Sequence, residues 1–406
     1  MGKKPSELNR RDVVSGLAGI GALASSGALL RGVLAPAVAR AEATASDVGV
    51  TAESIKIGMT AGITGAISFA SQQFSGFMQR LFDHINTAGG VNRRKLRLVI
   101  LDDGGKGDVA LQNAQRLLEQ EKVFAVTTIG TATAAGILEY LRQRNVPLLF
   151  PAAYNTELTT PVHANTFTLY QSYEGQIAAV TKWACRKMGS GSAVIVRANI
   201  PSFDLAVERA AQAIKAAGGS VTATLNTTYN QPEWASTVIR LKEIKPAYLI
   251  LITTAPDMGR LWKEMTQQRF RPAKATLGIS PLGDQAFLDT AGHVPDNATF
   301  AAIPGTVVPS SDEAKEARDL WPEQKMGVFG LAGAVSGGMM AEAFRRLGPD
   351  LTRAKLIDLL ANHFGPYKLP YSGTAKSEPD HLLIHSVSIA TVRNGVFVPA
   401  THEFVI

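Results

Sequence analysis

Short apolar runs alternate with longer stretches in which apolar residues recur every third or fourth position. The first kind reads as buried strand and the second as amphipathic helix. Ser54–Met59 (SIKIGM) is the first strand. A Gly/Thr/Ser-rich exit loop follows, Thr60–Ser71, and then a helix over Gln73–Ala88 that stops at Gly89-Gly90. Leu96–Leu101 is the second strand. Asp102-Asp103-Gly104-Gly105 turns out of it, and Asp108 is placed to cap a helix through Leu111, Ala114, Leu117 and Leu118. Phe124–Ile129 is the third strand. It leads into small residues and threonines, Gly130–Gly136, a helix over Ile137–Arg144, and a further strand, Val146–Phe150, that ends at Pro151.

The same grammar restarts at Ser192. Strands are predicted at Ala193–Val196, Val221–Leu225, Ala247–Thr253 and Ala275–Ile279, separated by helices at Asp204–Ala217, Glu233–Ile244 and Asp257–Gln268. Alternation of this kind means a parallel sheet with helices on both faces, and here it occurs twice. The tail departs from it. Gly327–Leu347 is a long helix rich in small residues and Leu351–Ala361 another. His381–Val392 and Val396–Val398 flank Asn394-Gly395, a hairpin turn signal.

The amino terminus changes the picture of charge. Lys3, Lys4, Arg10 and Arg11 precede the apolar, Gly/Ala-rich stretch Val13–Leu30 and the A-x-A site at Ala39–Ala41, a secretory layout for residues 1–41. Arg10-Arg11 resembles a twin-arginine export signal, with Asn9 and Val13 where Ser and Phe are commoner. Four glycines (Gly16, Gly19, Gly21, Gly27) dilute the segment and weigh against a membrane anchor. The signal carries six basic residues against Glu7 and Asp12, so it holds +4 of the chain's +7 and leaves a mature chain near +3. Such a charge implies no nucleic-acid partner. The single cysteine, Cys185, cannot form an intramolecular disulfide and reads as a small buried hydrophobe.

Enzyme and cofactor signatures are missing. Gly278-Ile279-Ser280-Pro281-Leu282-Gly283 has the wrong spacing for a nucleophile elbow, and Gly104-Gly105-Lys106 lacks the rest of a phosphate loop. His381 and His385 sit four apart in a strand-like run with no carboxylate at ligand spacing, so they read as surface or pairing residues and no metal is expected. Asp102-Asp103 reads as a turn pair capping local amides. No cofactor is expected.

What remains is a set of loops at the carboxyl ends of strands, where open α/β sheets bind ligands. From the first half these are Ser68 and Phe69, Thr131, Ala132, Thr133 and Ala134, and Ala152, Ala153 and Tyr154. From the second they are Asn199–Phe203 (with Ser202 and Phe203), Thr254 and Ser280. Small residues there let a ligand approach backbone N–H groups, and a helix start adds partial positive charge suited to a carboxylate. The same residues also fit ordinary strand-to-helix turns.

Gly130-Thr131-Ala132-Thr133-Ala134, followed by Phe150-Pro151-Ala152-Ala153-Tyr154-Asn155-Thr156-Glu157-Leu158-Thr159, resembles the type I periplasmic solute-binding proteins of ABC importers, specifically the leucine/isoleucine/valine-binding group. Members carry a G-x-x-x-S/T loop and then an apolar strand ending in S-P-x-A-T-N-P-x-L-T. The resemblance spans roughly residues 51–406. It implies an α/β fold of two doubly wound parallel-sheet lobes joined by a three-crossing hinge, the type I periplasmic-binding-protein fold. Residues 51–170 and 303–383 would form the first lobe, and 171–302 and 384–406 the second, with crossings near Tyr170–Ser172, Ile303-Pro304 and Leu383–His385.

The resemblance further implies an extracytoplasmic, periplasmic receptor that is not an enzyme. It would be a monomer without stable membrane insertion, binding a small-molecule ligand between the lobes and delivering it to permease subunits. Members hold an α-carboxylate with the second and third first-lobe loops and an α-ammonium with an acid of the second lobe. Here the matching positions are Ala134 for the serine, Tyr154 for the threonine, Ser202 or Phe203 for an aromatic, Thr254 for a tyrosine and Ser280 for the acid. Asp284 is close enough to substitute, and equally resembles a helix N-terminal residue. A desolvated ammonium without a carboxylate costs several kcal/mol. The expected ligand is therefore a carboxylate without an α-amine, or an amide. A branched-chain amino-acid receptor proper, an enzyme with similar sheets, or a ligand-sensing module are the alternatives.

Overall fold

Strands buried on both faces mark the centres of two parallel sheets. The computed structural model describes residues 47–305, 307–370 and 372–400, so the predicted export signal lies outside the described residues. The first lobe is built from β1 (Ser54–Ala61), α1 (Ser68–Thr87), β2 (Lys95–Asp102), α2 (Gly107–Glu119), β3 (Ala125–Ile129), α3 (Thr131–Gln143), β4 (Leu148–Leu149) and β5 (Thr166–Phe167). Its sheet has the order β2-β1-β3-β4-β5 and is parallel throughout.

The second lobe continues with α4 (Tyr173–Met188), β6 (Ser192–Ala198), α5 (Asp204–Ala216), β7 (Ser220–Thr227), α6 (Ala235–Ile244), β8 (Tyr248–Ile252), α7 (Ala255–Gln267), β9 (Ala275–Gly278), α8 (Gln285–Ala291) and β10 (Thr299–Pro304). Every residue of β8, YLILI, is buried, whereas the edge strand β7 alternates exposed and half-buried positions. The chain then returns as α9 (Lys315–Asp319), α10 (Val328–Leu347), α11 (Arg353–Asp358) and the small hairpin β11 (Tyr367–Leu369) and β12 (Gly373–Ala375). It ends in β13 (Val387–Arg393) and β14 (Val396–Pro399). The second sheet has the order β14-β13-β10-β9-β8-β6-β7, with β13 and β14 antiparallel to their neighbours. The Asn394-Gly395 turn joining them has both φ angles positive, +50° and +76°, as its sequence demands.

The expected pair of lobes is therefore present, and the chain passes between them three times. The passages are laced together. Thr168 N–H donates to His381 O at 3.0 Å and Leu383 N–H to Thr168 O at 2.9 Å, while Gly305 N–H donates to Ser386 O at 2.8 Å. In the first lobe α10 lies along α1. Its glycines face that helix so closely that a Cβ on Gly333 would strike the Phe74 backbone and one on Gly330 the Phe77 ring. That explains the small-residue composition of this helix, which buries Phe74, Phe77 and Phe82 completely.

Several boundaries differ from expectation. α1 begins at Ser68, not Gln73, and α3 at Thr131, not Ile137. Stretches of mostly small and polar residues carry little hydrophobic periodicity, so the helical state of both starts is hidden from pattern reading, although the alanines of Thr131–Gly136 favour it. Lys106, not Asp108, precedes α2, and Asp108 lies in its first turn. The strand expected over Val146–Phe150 narrows to β4, and α11 ends in a wider turn, Leu359–His363. β13 starts only at Val387, so His381 is not in a strand. It is a buried pairing residue, stacked on Phe167 at 4.5 Å with Nδ1 3.0 Å from His163 O. Cys185 is buried, as expected.

Candidate functional site

The carboxyl ends of strands from both sheets open onto one cavity of about 560 Å³. That is within the roughly 300–1,000 Å³ typical of ligand sites. From the first lobe it is lined by Ile67, Gly105, Ile129–Thr133, Ala135, Ala152, Glu157 and Phe329, and from the α4 side and second lobe by Tyr173, Ile200–Phe203 and Tyr229. Most of this lining is apolar or aromatic. None of the lining residues is a lysine or an arginine.

The floor is the start of α3. Gly130 takes φ +102°, a conformation that favours glycine, and its N–H donates to Ala152 O at 3.2 Å, joining the second and third loops. The next N–H groups, of Thr131, Ala132 and Thr133, belong to a helical first turn and have no intrahelical acceptor. Beneath them lies Asp103, buried, with Oδ2 accepting from Thr60 Oγ1 at 2.7 Å and Oδ1 from Gly105 N–H at 2.7 Å. Thr133 Oγ1 donates to the same Oδ1 at 3.4 Å. Burial pushes the Asp103 carboxyl up, against the pull of these bonds. The consequence for Thr133 is specific. Its proton is committed to Asp103, so toward the cavity the hydroxyl can only accept.

Across the cleft, Thr131 Oγ1 and Ser202 Oγ are 3.2 Å apart, so the two lobes touch at this lip. The walls are rings. Tyr173, the first residue of α4, packs edge-on to Phe203 with centroids 5.5 Å apart, and Tyr154 packs behind Tyr173 at 5.1 Å. Phe329, in the first turn of α10, packs edge-on to Phe69 at 5.9 Å. Phe69 itself lines a separate, more polar cavity of about 230 Å³ with Gln72, Gln73, Gln285, Asp289 and Lys325, so this ring pair stands between the two spaces. Burial, then the charge of Asp257, pushes the Tyr229 phenol up.

The acidic group facing the cavity is Glu157, exposed to it and hydrogen-bonded by Asn155 Nδ2. Buried Glu174, in the first turn of α4, lies near enough for the Glu157 charge to add to the upward push of burial on its carboxyl. The cavity thus has an acid that the sequence reading did not propose, Glu157, from the loop after β4 and not from the second lobe where an acid was sought.

The sequence profile of the periplasmic binding protein family matches residues 54–396. The chain belongs to this family. Over 213 residues this periplasmic binding protein is 22% identical to the Leu/Ile/Val-binding protein BraC3 of Rhizobium johnstonii, a match covering 52% of this chain and 58% of that protein. The chain thus spans little more than half the length of that curated relative. Among solved structures, its fold is similar to a branched-chain amino-acid ABC transporter protein from Thermus thermophilus with bound valine (TM-score 0.78, 16% identity, 87% of this chain and 96% of that one). It is similar also to a fatty acid ABC transporter substrate-binding protein from Thermomonospora curvata (TM-score 0.76, 17% identity, 89% and 95%).

In this periplasmic binding protein Thr131, Ala132, Thr133, Ala152, Ser202 and Phe203 come together at the cavity as the sequence suggests. The other expected positions lie elsewhere. Ser68 opens α1, and Phe69 follows it there. Ala134 and Ala153 are packed into the outer core of the first lobe. Tyr154 is a buried second layer. Thr254 caps α7 and hydrogen-bonds Asp257 at 2.8 Å. Ser280 is buried, its N–H donating to Gln176 Oε1 at 2.9 Å. Asp284 caps α8. Sequence reasoning missed Ile67, Glu157, Tyr173, Tyr229 and Phe329. Tyr173 carried a usable signal, because Ser172 is a good N-cap immediately after the first expected crossing and does accept from Gly175 N–H.

Proposed function

We propose that this protein is the extracytoplasmic solute receptor of an ABC importer, holding one small solute between its lobes and presenting the closed form to permease subunits. One observation carries the reading. The cavity is bounded by both lobes, and their lips meet at Thr131 and Ser202. A solute filling such a space interacts with the closed arrangement more than with the open one, and only that difference can shift the population. The role is binding, not catalysis. The buried acids nearby, Asp103 and Glu174, are tied into turn and helix-start hydrogen bonds and are not free as proton carriers.

The walls select an apolar or aromatic body. The N–H groups of Thr131–Thr133 and the positive end of α3 suit a carboxylate head, which supports a small organic acid; the Thermomonospora curvata neighbour is named for fatty acids, which carry the same head group. A second reading rests on Glu157. A carboxylate in the lining can pair with an α-ammonium, which supports an amino acid, as in the valine-bound neighbour. A thermal-shift panel of organic acids, amides and amino acids should contain a member that raises the unfolding midpoint. Calorimetry on that member with Glu157→Gln separates the two. An amino acid should bind roughly tenfold more weakly or worse, whereas an acid without an amine should bind as well or better. Turnover of any panel member would overturn the receptor role itself.

The receptor is exported with removal of residues 1–41, by the twin-arginine route, and acts as a monomer. Arg10 and Arg11 changed together to lysine should leave the precursor in the cytoplasm. Normal export of that variant would reject the route.

A further inference from the structure

We propose that Asp284 is a cross-lobe strut. It is a second-lobe carboxylate that holds the N-terminus of first-lobe helix α10, and with it the cavity wall Phe329, so that its protonation biases the balance between closed and open lobes. The geometry is specific. Asp284 is completely buried and caps α8, with Oδ1 accepting from Ala286 N–H at 2.9 Å. Oδ2 has no partner at full hydrogen-bonding distance and faces the N–H groups of Val328 and Phe329, in the first turn of α10. The preceding N–H, of Gly327, donates to Gln73 Oε1 at 2.6 Å. The start of α10 is thus held by α1 of its own lobe and by α8 of the other. Position 327 must be glycine for this approach, because any Cβ there would collide with the Asp284 carboxylate.

The charges around the group are few. On α8, Asp289 repels it, and Asp289 is itself paired with Lys325, which precedes α10, at 3.5 Å. From the loop after β4, the buried Tyr154 phenol feels its charge. Burial pushes Asp284 up from its ordinary 3.8 to about 6, with the α8 and α10 amides pulling back. Hinge opening carries α8 from α10 and returns the carboxylate to water, where it titrates near its ordinary value. The closed form therefore binds the proton more tightly. At pH 7.5 both forms are ionised and closing desolvates a charge. As pH falls through 6 the closed form takes up a proton and is favoured. Between pH 7.5 and 5.0 the closed-to-open ratio should rise about tenfold.

The proposal rests on the receptor reading only for its meaning in transport, and ligand-free protein tests it. Small-angle X-ray scattering should show the radius of gyration shrinking from pH 7.5 to 5.0, and Asp284→Asn, which keeps the α8 cap acceptor, should not respond. Asp289→Asn removes a repelling neighbour and should move the midpoint of compaction to lower pH. This second variant also separates Asp284 from His163, His381 and His385. No compaction in the native protein, an unchanged response in Asp284→Asn, or an unmoved midpoint in Asp289→Asn overturns the strut. A protein that compacts in this way but binds no member of the solute panel keeps the strut and loses the receptor reading. One that binds solute without compaction does the reverse.

Discussion

The two places where the lobes meet beside the cavity differ in kind. At one, Thr131 and Ser202 share a neutral hydroxyl contact, part-buried and on short side chains. At the other, Asp284 brings a fully buried carboxylate against the start of a 20-residue helix. A neutral pair near solvent exchanges one hydrogen bond for another with water, so it contributes about 1 kcal/mol and is indifferent to acid. A buried carboxylate responds to its surroundings by holding a proton more tightly. The first contact sets how well the cleft is sealed, and the second sets the conditions under which sealing is favourable.

Removing what the second contact carries should have the largest effect. Phe329→Ala deletes a buried ring that touches Phe69 and Tyr154 and divides the two cavities. Chemical denaturation should register a loss of about 3–4 kcal/mol. The acid-induced compaction should nonetheless survive, since Asp284 addresses backbone amides and not the ring. Its disappearance would show that Phe329, not the helix start, transmits the closure. The tenfold pH response expected of Asp284 comes next in size, and the Glu157→Gln substitution matches it if the solute carries an amine. The smallest effect belongs to the first contact. Ser202→Ala should weaken solute binding by about 1 kcal/mol, roughly fivefold, equally at pH 5.0 and 7.5. A loss that changes between those pH values would erase the distinction between the two contacts.

The alternation of strand and helix was legible because parallel strands buried on both faces read as continuous apolar runs. β6, β8 and β9 all fall within two residues of their expected limits. The starts of α1 and α3 were not, because Ser68–Ser71 holds one large apolar residue, Phe69, and Thr131–Gly136 holds none, so neither stretch shows a period. Half-legibility at the cavity has a related cause. Loops that follow strands can be anticipated from the fold rule, and Thr131–Thr133, Ala152 and Ser202-Phe203 are such positions. Tyr173 and Phe329 reach the cavity from helix starts that follow lobe crossings, so only tertiary closure brings them in. Asp284 was open to two readings. Its nearness to Ser280 allowed a ligand contact as well as a helix N-terminal role, and it caps α8 through Ala286 N–H with its other oxygen turned toward the start of α10.

The return of β13 and β14 to the second sheet has a consequence for how the protein is made. The first lobe's strands β1–β5 all lie within Ser54–Phe167, so its whole sheet can pair early as the chain leaves the ribosome. β10, by contrast, has β13 as its outer neighbour, and those partners are separated by the whole return chain between Gly305 and Ser386, which carries α9, α10, α11 and the β11–β12 hairpin. Until Val387–Pro399 emerges, β10 presents an unpaired edge, the kind of surface on which nascent chains stick to one another. The second lobe is therefore the late and vulnerable one, and its last two strands act as a closing seam on newly synthesised protein.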